Sequence, residues 1–309
     1  MVTTIIKRLL QGLIVIFAIM VITFIMLRLI PGDPSRTMAP ISTESQIQIL
    51  KEQMGIGESI SVQFGKYIRN LFNGYLGYSF FQKADVITVI GNALPKTGIL
   101  LLFAIILELT FGFLFGVLAA IKSNTWVDKV ISGFAVIFQS IPNYWMCLML
   151  ISLVTVKWQL LPSTGYKGPI YAVLPAIVLS LQPTAVLIRT VRLSMIGSLQ
   201  QNFVKAAKAR GVPWRIYVFK YAFRNSLIPL LTLFGAQLSY IVGSIIVVEF
   251  VFGYPGIGLQ TLNAILRRDY YLVQGLVVLI SGFFVIVNTV IDIGYIYLDP
   301  RIRKALGGL

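Results

Sequence analysis

Long runs without a charged residue constrain this chain more than any other feature. No charged side chain occurs between Arg8 and Arg28, and residues 130–156 are also free of charge. A helix that crosses about 30 Å of hydrocarbon needs about 20 residues at about 1.5 Å each. Only 12% of the 309 residues are charged and 57% are hydrophobic, whereas about a quarter of the residues in soluble domains are charged. The chain is therefore predicted to be an all-α integral membrane protein.

Six segments are long and apolar enough to cross a bilayer. They cover residues 9–27, about 97–121, 130–156, about 172–188, about 225–248 and 270–291. Pro175 and Pro183 lie in the fourth, where neighbouring helices can satisfy the carbonyls that a proline frees. The first run is too long for a cleaved signal peptide and is followed by PGDP, so we expect it to remain as a helix.

The basic residues of the short loops predict the orientation. With the N-terminus inside, the inner segments hold most of these residues, including eight between Arg189 and Arg224. The short outer loops hold only Lys157, Lys167, Arg267 and Arg268. Both termini are thus predicted to be cytoplasmic. The net charge of +15 is explained by this topology and by attraction to anionic lipid, so we expect no nucleic-acid partner.

The long segment after the first run is predicted to lie outside and to contain two amphipathic helices. The stretches ESQIQILKEQMG and FGKYIRNLF place apolar residues at helical spacing, and Gly55 is a helix stop. The apolar positions are Ile47, Leu50 and Met54 in the first stretch and Phe64, Ile68, Leu71 and Phe72 in the second.

Residue types that are missing exclude several kinds of chemistry. The chain has no histidine and one cysteine, Cys147, so it can form no internal disulfide and lacks the usual imidazole base and metal ligand. No G-x-x-x-x-G-K-[ST] loop occurs that could hold ATP phosphates. We expect no catalytic residue, no metal site and no cofactor bound by this chain.

The stretch KAAKARGVPW, residues 205–214, combines small residues and cations between the fourth and fifth runs. Small residues beside a terminal glycine let a helix end approach another backbone closely, and Pro213 prevents the helix from continuing. Such a helix suits docking in a partner's groove or contact with lipid headgroups. The residues concerned are Lys205, Ala206, Ala207, Lys208, Arg210, Gly211 and Pro213.

The sequence from KAAKARGVPW to LIPLLT resembles the permeases of dipeptide, oligopeptide and nickel ABC importers. Four further motifs strengthen the resemblance: LIPGDP after the first run, NGYLGYS, EFVFGYPGIG and LDPRIR near the C-terminus. They occur in the family's order over nearly the whole chain. The chain is similar to the first permease subunit type, which has six transmembrane helices of the type I ABC importer kind, a long external segment and a cytoplasmic coupling helix between helices 4 and 5.

The resemblance implies a division of the chain and a set of partners. Residues 1–92 would form an N-terminal helix with the external segment, and residues 93–306 the core permease domain. The partners would be a second, related permease, two ATP-binding subunits that hold ATP and Mg²⁺, and an external solute-binding protein. The location implied is a bacterial or archaeal cell (inner) membrane. The helix of KAAKARGVPW would transmit movement from the ATPases during alternating access.

Polar residues within the runs are candidates for the solute path or for structural roles. Glu108 lies near the middle of the second run, where a charge is costly; it either lines the path or bonds a neighbouring helix. Gln139, Ser140 and Asn143 can line a cavity or join helices. Glu249 and Asp292 are predicted to be structural, the former in organising the EFVFGYPGIG loop.

The sequence leaves alternatives open for both the substrate class and the energy source of transport. Short peptides are the first choice and nickel or a metal chelate the second, within the same machinery. An ion-coupled secondary transporter is an alternative of a different class, although the sequence shows no clear internal repeat and few intramembrane acids.

Overall fold

The apolar runs form helices in the computed structural model, which describes residues 2–31, 33, 35–36 and 43–298. The side chain of Asp292 and residues 299–309, which include most of LDPRIR, lie outside the described part. The helices are α1 (Val2–Leu29), α2 (Glu44–Met54), α3 (Ile60–Phe72), α4 (Val86–Ile121), α5 (Trp126–Ser140), α6 (Asn143–Leu150), α7 (Val173–Leu199), α8 (Asn202–Ala209), α9 (Arg224–Val251), α10 (Ile257–Leu266) and α11 (Tyr270–Leu298). Two π-helical segments, Ile151–Lys157 and Ile216–Phe223, and a 3-10 turn, Pro169–Ala172, complete the helical structure.

One small element departs from the all-α prediction. Tyr78–Ser79 (β1) and Ala84–Asp85 (β2) form an antiparallel pair with Tyr78 opposite Asp85. A strand of two residues is too short to show a hydrophobic periodicity in the sequence. The pair closes the loop that leads into α4.

Four helical stretches in the described part are long and apolar enough to cross a membrane, which makes the chain an integral membrane protein. They are Arg8–Leu29, Val86–Ile121, Pro169–Leu199 and Tyr270–Ile291. A fifth is formed if Trp126–Ser140 and Asn143–Lys157 are taken together. The predicted run at 225–248 lies in α9. Within α9, the apolar stretch Gly235–Val251 is shorter than the four stretches named above. The total of six spans therefore stays a prediction.

The third run is bent, although the sequence predicts that residues 130–156 form a single span. Its two halves meet at an angle of 102°. Pro142 explains the break because it has no N–H to donate and it disfavours helical geometry at the residue before it. Ile141 accordingly has extended backbone angles, with φ −84° and ψ 126°.

Two other helices are longer than their apolar runs suggest. α4 begins at Val86 rather than near residue 97, with Pro95 inside it. Its added turns bury Val86, Ile90 and Ala93 on one side. α7 continues past residue 188 to Leu199 because Val191 and Met195, four residues apart, are both fully buried. Polar residues within these turns, such as Asn92 and Arg192, hid them from a search for apolar runs.

The chain divides into two compact units. One consists of Val2–Thr97 with Pro255–Ile286, and its core contains two apolar clusters. The other holds Gly98–Tyr254 and, among the described residues, 287–298. In this second unit α7 packs along α5 and α9, and α4 approaches α7 closely at Gly116, where an added Cβ would lie 2.6 Å from the Cβ of Val191.

Both amphipathic helices predicted for the segment after α1 are present. α2 ends at Gly55, which has φ +65°, as a left-handed helix stop requires. In α3, Phe64, Ile68 and Leu71 pack against a cluster around Phe24. Phe72 was predicted on the same face but is 86% exposed. At about 100° per residue it is rotated about 80° away from Phe64.

Candidate coupling segment and solute path

The stretch KAAKARGVPW folds as a short helix that ends at a glycine. α8 follows the extended residue Gln201 and ends at Ala209. Gly211 has φ +72°, and its N–H donates to the carbonyl of Lys208 at 3.0 Å. The N–H of Val212 donates to the carbonyl of Ala207 at 3.1 Å. These bonds satisfy two of the carbonyls that a helix end leaves open.

The two sides of α8 have different surroundings. Val204 and Ala207 are buried, at 0% and 6% exposure, and α8 packs against α7 and the π-helical segment Ile216–Phe223. Phe203, Ala206 and Arg210 lie at spacings of three and four residues on the open side. The sequence predicted that both alanines face a partner, but the structure places Ala207 inside the chain.

The cations of this segment are exposed, and one of them, Lys208, lies next to an aromatic ring. Lys205, Lys208 and Arg210 are open to the surroundings of the chain. The ammonium group of Lys208 lies 5.0 Å from the ring centre of Tyr217, within the range of cation–π attraction. Pro213 accepts a bond from the N–H of Ile216 at 2.9 Å and begins the next helical segment.

A buried ion pair holds α5 against α7 in the same unit. The Asp128 side chain is only 4% exposed and binds Arg192 through both oxygens, with 2.7 Å from Nη2 to Oδ2. The N–H of Asn124 also donates to Asp128 Oδ2 at 2.9 Å. From the sequence, Arg192 is predicted only to be one of the cations that set the topology. Asp128 is the one acid between Glu108 and Glu249, which is the signal that could have identified the pair.

The three polar path candidates lie together at the break between α5 and α6. Gln139 Oε1 accepts a bond from Arg189 Nη1 at 2.7 Å, and Asn143 Nδ2 donates to the Tyr240 hydroxyl at 3.1 Å. Ser140 Oγ donates to the carbonyl of Val136 at 2.9 Å. Gln139 and Ser140 are exposed and Asn143 is half-buried. The break thus presents polar groups on an open surface.

Gln182 supports this break and was missed by sequence reasoning. Its Nε2 donates to the carbonyl of Ile141 at 2.9 Å and to that of Gln139 at 3.3 Å. These carbonyls are left without helical partners where the helix is interrupted. Gln182 and Pro183 follow one another on α7, and the carbonyl of Pro183 accepts a bond from Gln237 at 3.2 Å.

Glu108 is fully buried rather than open to a cavity. Its exposure is 0%, and neither carboxylate oxygen has a hydrogen-bond partner among the described residues. Ala104, one turn earlier, belongs to the largest apolar cluster of this unit. An enclosed acid of this kind is costly, and it stands apart from the hydrogen bonds of the α5–α6 break.

The EFVFGYPGIG motif forms a tight corner after α9. Glu249 is fully buried, and its carbonyl accepts a bond from the N–H of Tyr254 at 2.8 Å. Tyr254 is also enclosed, and burial raises the pKa of its hydroxyl. Gly253 has φ +55°, and the carbonyl of Phe252 accepts a bond from Gly165 at 3.3 Å. The bond at Glu249 uses its backbone carbonyl, so the structural role of its carboxylate stays a prediction.

The NGYLGYS motif is fixed by an acid that sequence reasoning did not single out. Asp269 is fully buried and accepts bonds from Ser79 Oγ at 2.6 Å and from the N–H of Leu272 at 3.2 Å. Burial raises the pKa of the Asp269 carboxyl, although these hydrogen bonds oppose the shift. Ser79 and Asp269 are 190 positions apart, so their pairing was not visible in the sequence.

Comparison with known proteins finds similarity over nearly the whole chain, including the segments that hold these motifs. Residues 1–101 match the family model described as binding-protein-dependent transport system membrane component, N-terminal, and residues 112–304 match the inner membrane component of the same systems. A Sinorhizobium fredii protein named as a probable peptide ABC transporter permease is 33% identical over 97% of this chain and 98% of its own length. The glutathione transport system permease of an Escherichia coli O6:H1 strain is 32% identical over 98% of this chain and 99% of its own. The chain therefore belongs to the family of inner membrane components of binding-protein-dependent transport systems, and it is a multi-pass permease subunit of an ABC transporter.

Proposed function

We propose that this permease imports short peptides. The observation that carries the proposal is similarity over nearly the full length to relatives named for peptide and glutathione transport, since glutathione is itself a tripeptide. Nothing comparable favours nickel or a metal chelate. The chain also has no histidine to coordinate a bare nickel ion.

The proposed assembly contains this chain, a second related permease, two ATP-binding subunits and an external solute-binding protein. This chain supplies six spans with both termini in the cytoplasm, and ATP and Mg²⁺ are bound by the ATPases. No cofactor or metal is assigned to the chain itself. The inner-membrane location and the family membership support this arrangement, as does the concentration of basic residues in the segments placed inside.

We assign ATPase docking to the open side of α8. Phe203, Ala206 and Arg210 form a stripe in which an aromatic ring, a small side chain and a cation follow one another. A helix presents such a stripe to a hydrophobic groove. The buried side, Val204 and Ala207, ties α8 to its own chain, so that a movement of the ATPase is passed on to α7.

We assign the solute path to the polar break between α5 and α6. Asn143 and Tyr240 offer donors and acceptors for peptide groups, and Arg189 offers a positive charge. In an apolar helix such groups are costly unless they line a wet cavity or bond one another. Glu108 is not assigned to the path, because both of its oxygens are enclosed and neither has a hydrogen-bond partner among the described residues.

Uptake by the reconstituted complex tests the substrate class. Proteoliposomes that contain the complete assembly should accumulate a radiolabelled dipeptide when ATP and the binding protein are supplied. Unlabelled di- and tripeptides should compete, whereas nickel salts and nickel chelates should not. Competition by nickel chelates with no competition by peptides would reverse the assignment.

A further inference from the structure

A cavity of about 450 Å³ lies within the unit formed by Val2–Thr97 and Pro255–Ile286. Small-ligand sites span about 300–1,000 Å³. The end of α1, the turn between α2 and α3, α3 itself, the segment before β1 and the first turns of α11 contribute to its wall. All of its lining residues belong to this unit, whereas α8 and the polar break belong to the other unit. Its lining includes Arg28, Glu58, Lys66, Tyr67, Tyr271 and Gln274.

Gln274 gives the first indication of a ligand. Its side chain is 3% exposed and lines the cavity. Its carboxamide nitrogen has no hydrogen-bond partner among the described residues. Buried donors are nearly always satisfied, and one that is not needs an explanation. A hydrogen-bond acceptor on a bound ligand would pair with this donor and explain why it is unpaired within the chain.

Arg28 gives the second indication, from a different element. Its Nε donates to Gln63 Oε1 at 2.7 Å and its Nη1 to the carbonyl of Phe24 at 3.1 Å. The guanidinium carbon lies 3.3 Å from the centre of the Phe24 ring. These contacts hold the side chain in place at the cavity. Yet no carboxylate of the described residues lies within ion-pair distance of it. A fixed guanidinium and an unpaired amide donor that line the same cavity are complementary to a carboxylate.

Glu58, which also lines the cavity, is suited to binding a positively charged group. Glu58 pairs with Lys66 through Oε1, while its buried Oε2 has no partner in the described part of the chain. The rings of Tyr67 and Tyr271 form part of the wall. The cavity therefore combines donors for an anion, an acceptor for a cation and aromatic surface for an apolar side chain.

We propose that this cavity binds a short peptide as a zwitterion, with its α-carboxylate at Arg28 and Gln274 and its ammonium group at Glu58. The choice of a peptide rests on the proposed function. With this unit on the outer side, as the sequence predicts for residues 31–96, the cavity is a second solute site on the permease, distinct from the path. Peptide released by the binding protein is held there before it enters the membrane.

Direct binding to the complex tests the proposal. The complete permease–ATPase complex in lipid nanodiscs, without binding protein, is titrated with a radiolabelled dipeptide and with its C-terminal amide. The wild type should bind the dipeptide about 10- to 100-fold more tightly than the amide, as expected for hydrogen bonds to a charged group. Gln274→Glu keeps the side-chain size but opposes a carboxylate. This variant should bind the dipeptide at least about 10-fold more weakly and should no longer distinguish it from the amide.

Matched variants separate the site from general damage to the fold. Gln82→Glu makes the same chemical change in the same unit outside the cavity and should behave as the wild type. Arg28→Gln should weaken dipeptide binding as Gln274→Glu does, in complexes that co-elute normally on size exclusion. Discrimination that persists in both cavity variants would overturn the proposal.

Two further outcomes would also overturn it. A complex that imports the dipeptide in proteoliposomes but shows no direct binding lacks this site, while the proposed function stands. If Arg28→Gln instead weakens only the association of the binding protein, the carboxylate comes from that protein. Failure of import itself would count against the proposed function and not against peptide binding in the cavity.

Discussion

At the scale of single residues, the buried pair of Asp128 and Arg192 shows what sequence reasoning could and could not reach. The acid is conspicuous because the chain has so few. Its partner lies 64 positions away on another helix, and only the packing of α5 against α7 brings the two together. Asp269 and Ser79 illustrate the same limit. Local spacing predicts helices, but it does not predict which distant polar groups will meet inside the fold.

We expect Arg192→Met to lower the stability of the complex, because it leaves the Asp128 carboxylate buried without its counter-charge. Breaking one side of a fully buried pair costs about 3–5 kcal/mol, and we expect a smaller loss here because the Arg192 side chain is 23% exposed. The double variant Asp128→Asn with Arg192→Met should recover part of the loss, since no unpaired charge remains. Melting of the purified complex measures both. Lys122→Met, at an exposed position, is the control, and a double variant less stable than Arg192→Met alone would contradict the account.

At the scale of elements, the α8 segment was predicted well in extent and less well in orientation. The small-residue run, the terminal Gly211 and Pro213 indicated where the helix ends. Which alanine faces the partner depends on how α7 and the π-helical segment cover α8, and that is a tertiary property. The bend at Pro142 is similar: the proline was visible, but the angle is set by contacts such as those of Gln182.

The two alanines of α8 should therefore respond differently to a bulky side chain. Ala206→Trp lies on the open side, so it should leave the chain folded but release the ATPases or separate ATP hydrolysis from uptake. Ala207→Trp should destabilise the permease itself because the site is only 6% exposed and cannot hold the added volume. Co-purification of the ATPases, uptake and melting are measured together. ATPase binding and uptake at wild-type levels in Ala206→Trp would place the docking surface elsewhere.

At the scale of the whole molecule, composition alone identified a membrane protein, and the order of motifs indicated its family. Spans with prolines or polar turns were harder to delimit, because their ends depend on packing rather than on hydropathy. Orientation rests on the distribution of cations and can be tested with engineered cysteines. The native Cys147 is buried and is replaced by alanine in the background.

In that background, Ser61→Cys lies in α3 and Ala209→Cys at the end of α8, both at exposed positions. A membrane-impermeant maleimide should label Ser61→Cys in intact spheroplasts. It should label Ala209→Cys only after the membrane is permeabilised. The reverse pattern would invert the topology and remove α8 from the side on which ATPases act.

The most direct test of the central claim is the energy source of uptake. Proteoliposomes with the complete complex, the binding protein outside and ATP inside should accumulate labelled dipeptide against its gradient. Accumulation should continue when ionophores collapse the proton and sodium gradients, and it should stop when the ATPase subunits carry a substitution that blocks hydrolysis. Accumulation that survives blocked hydrolysis but ends with the ion gradients would contradict the account and identify an ion-coupled transporter instead.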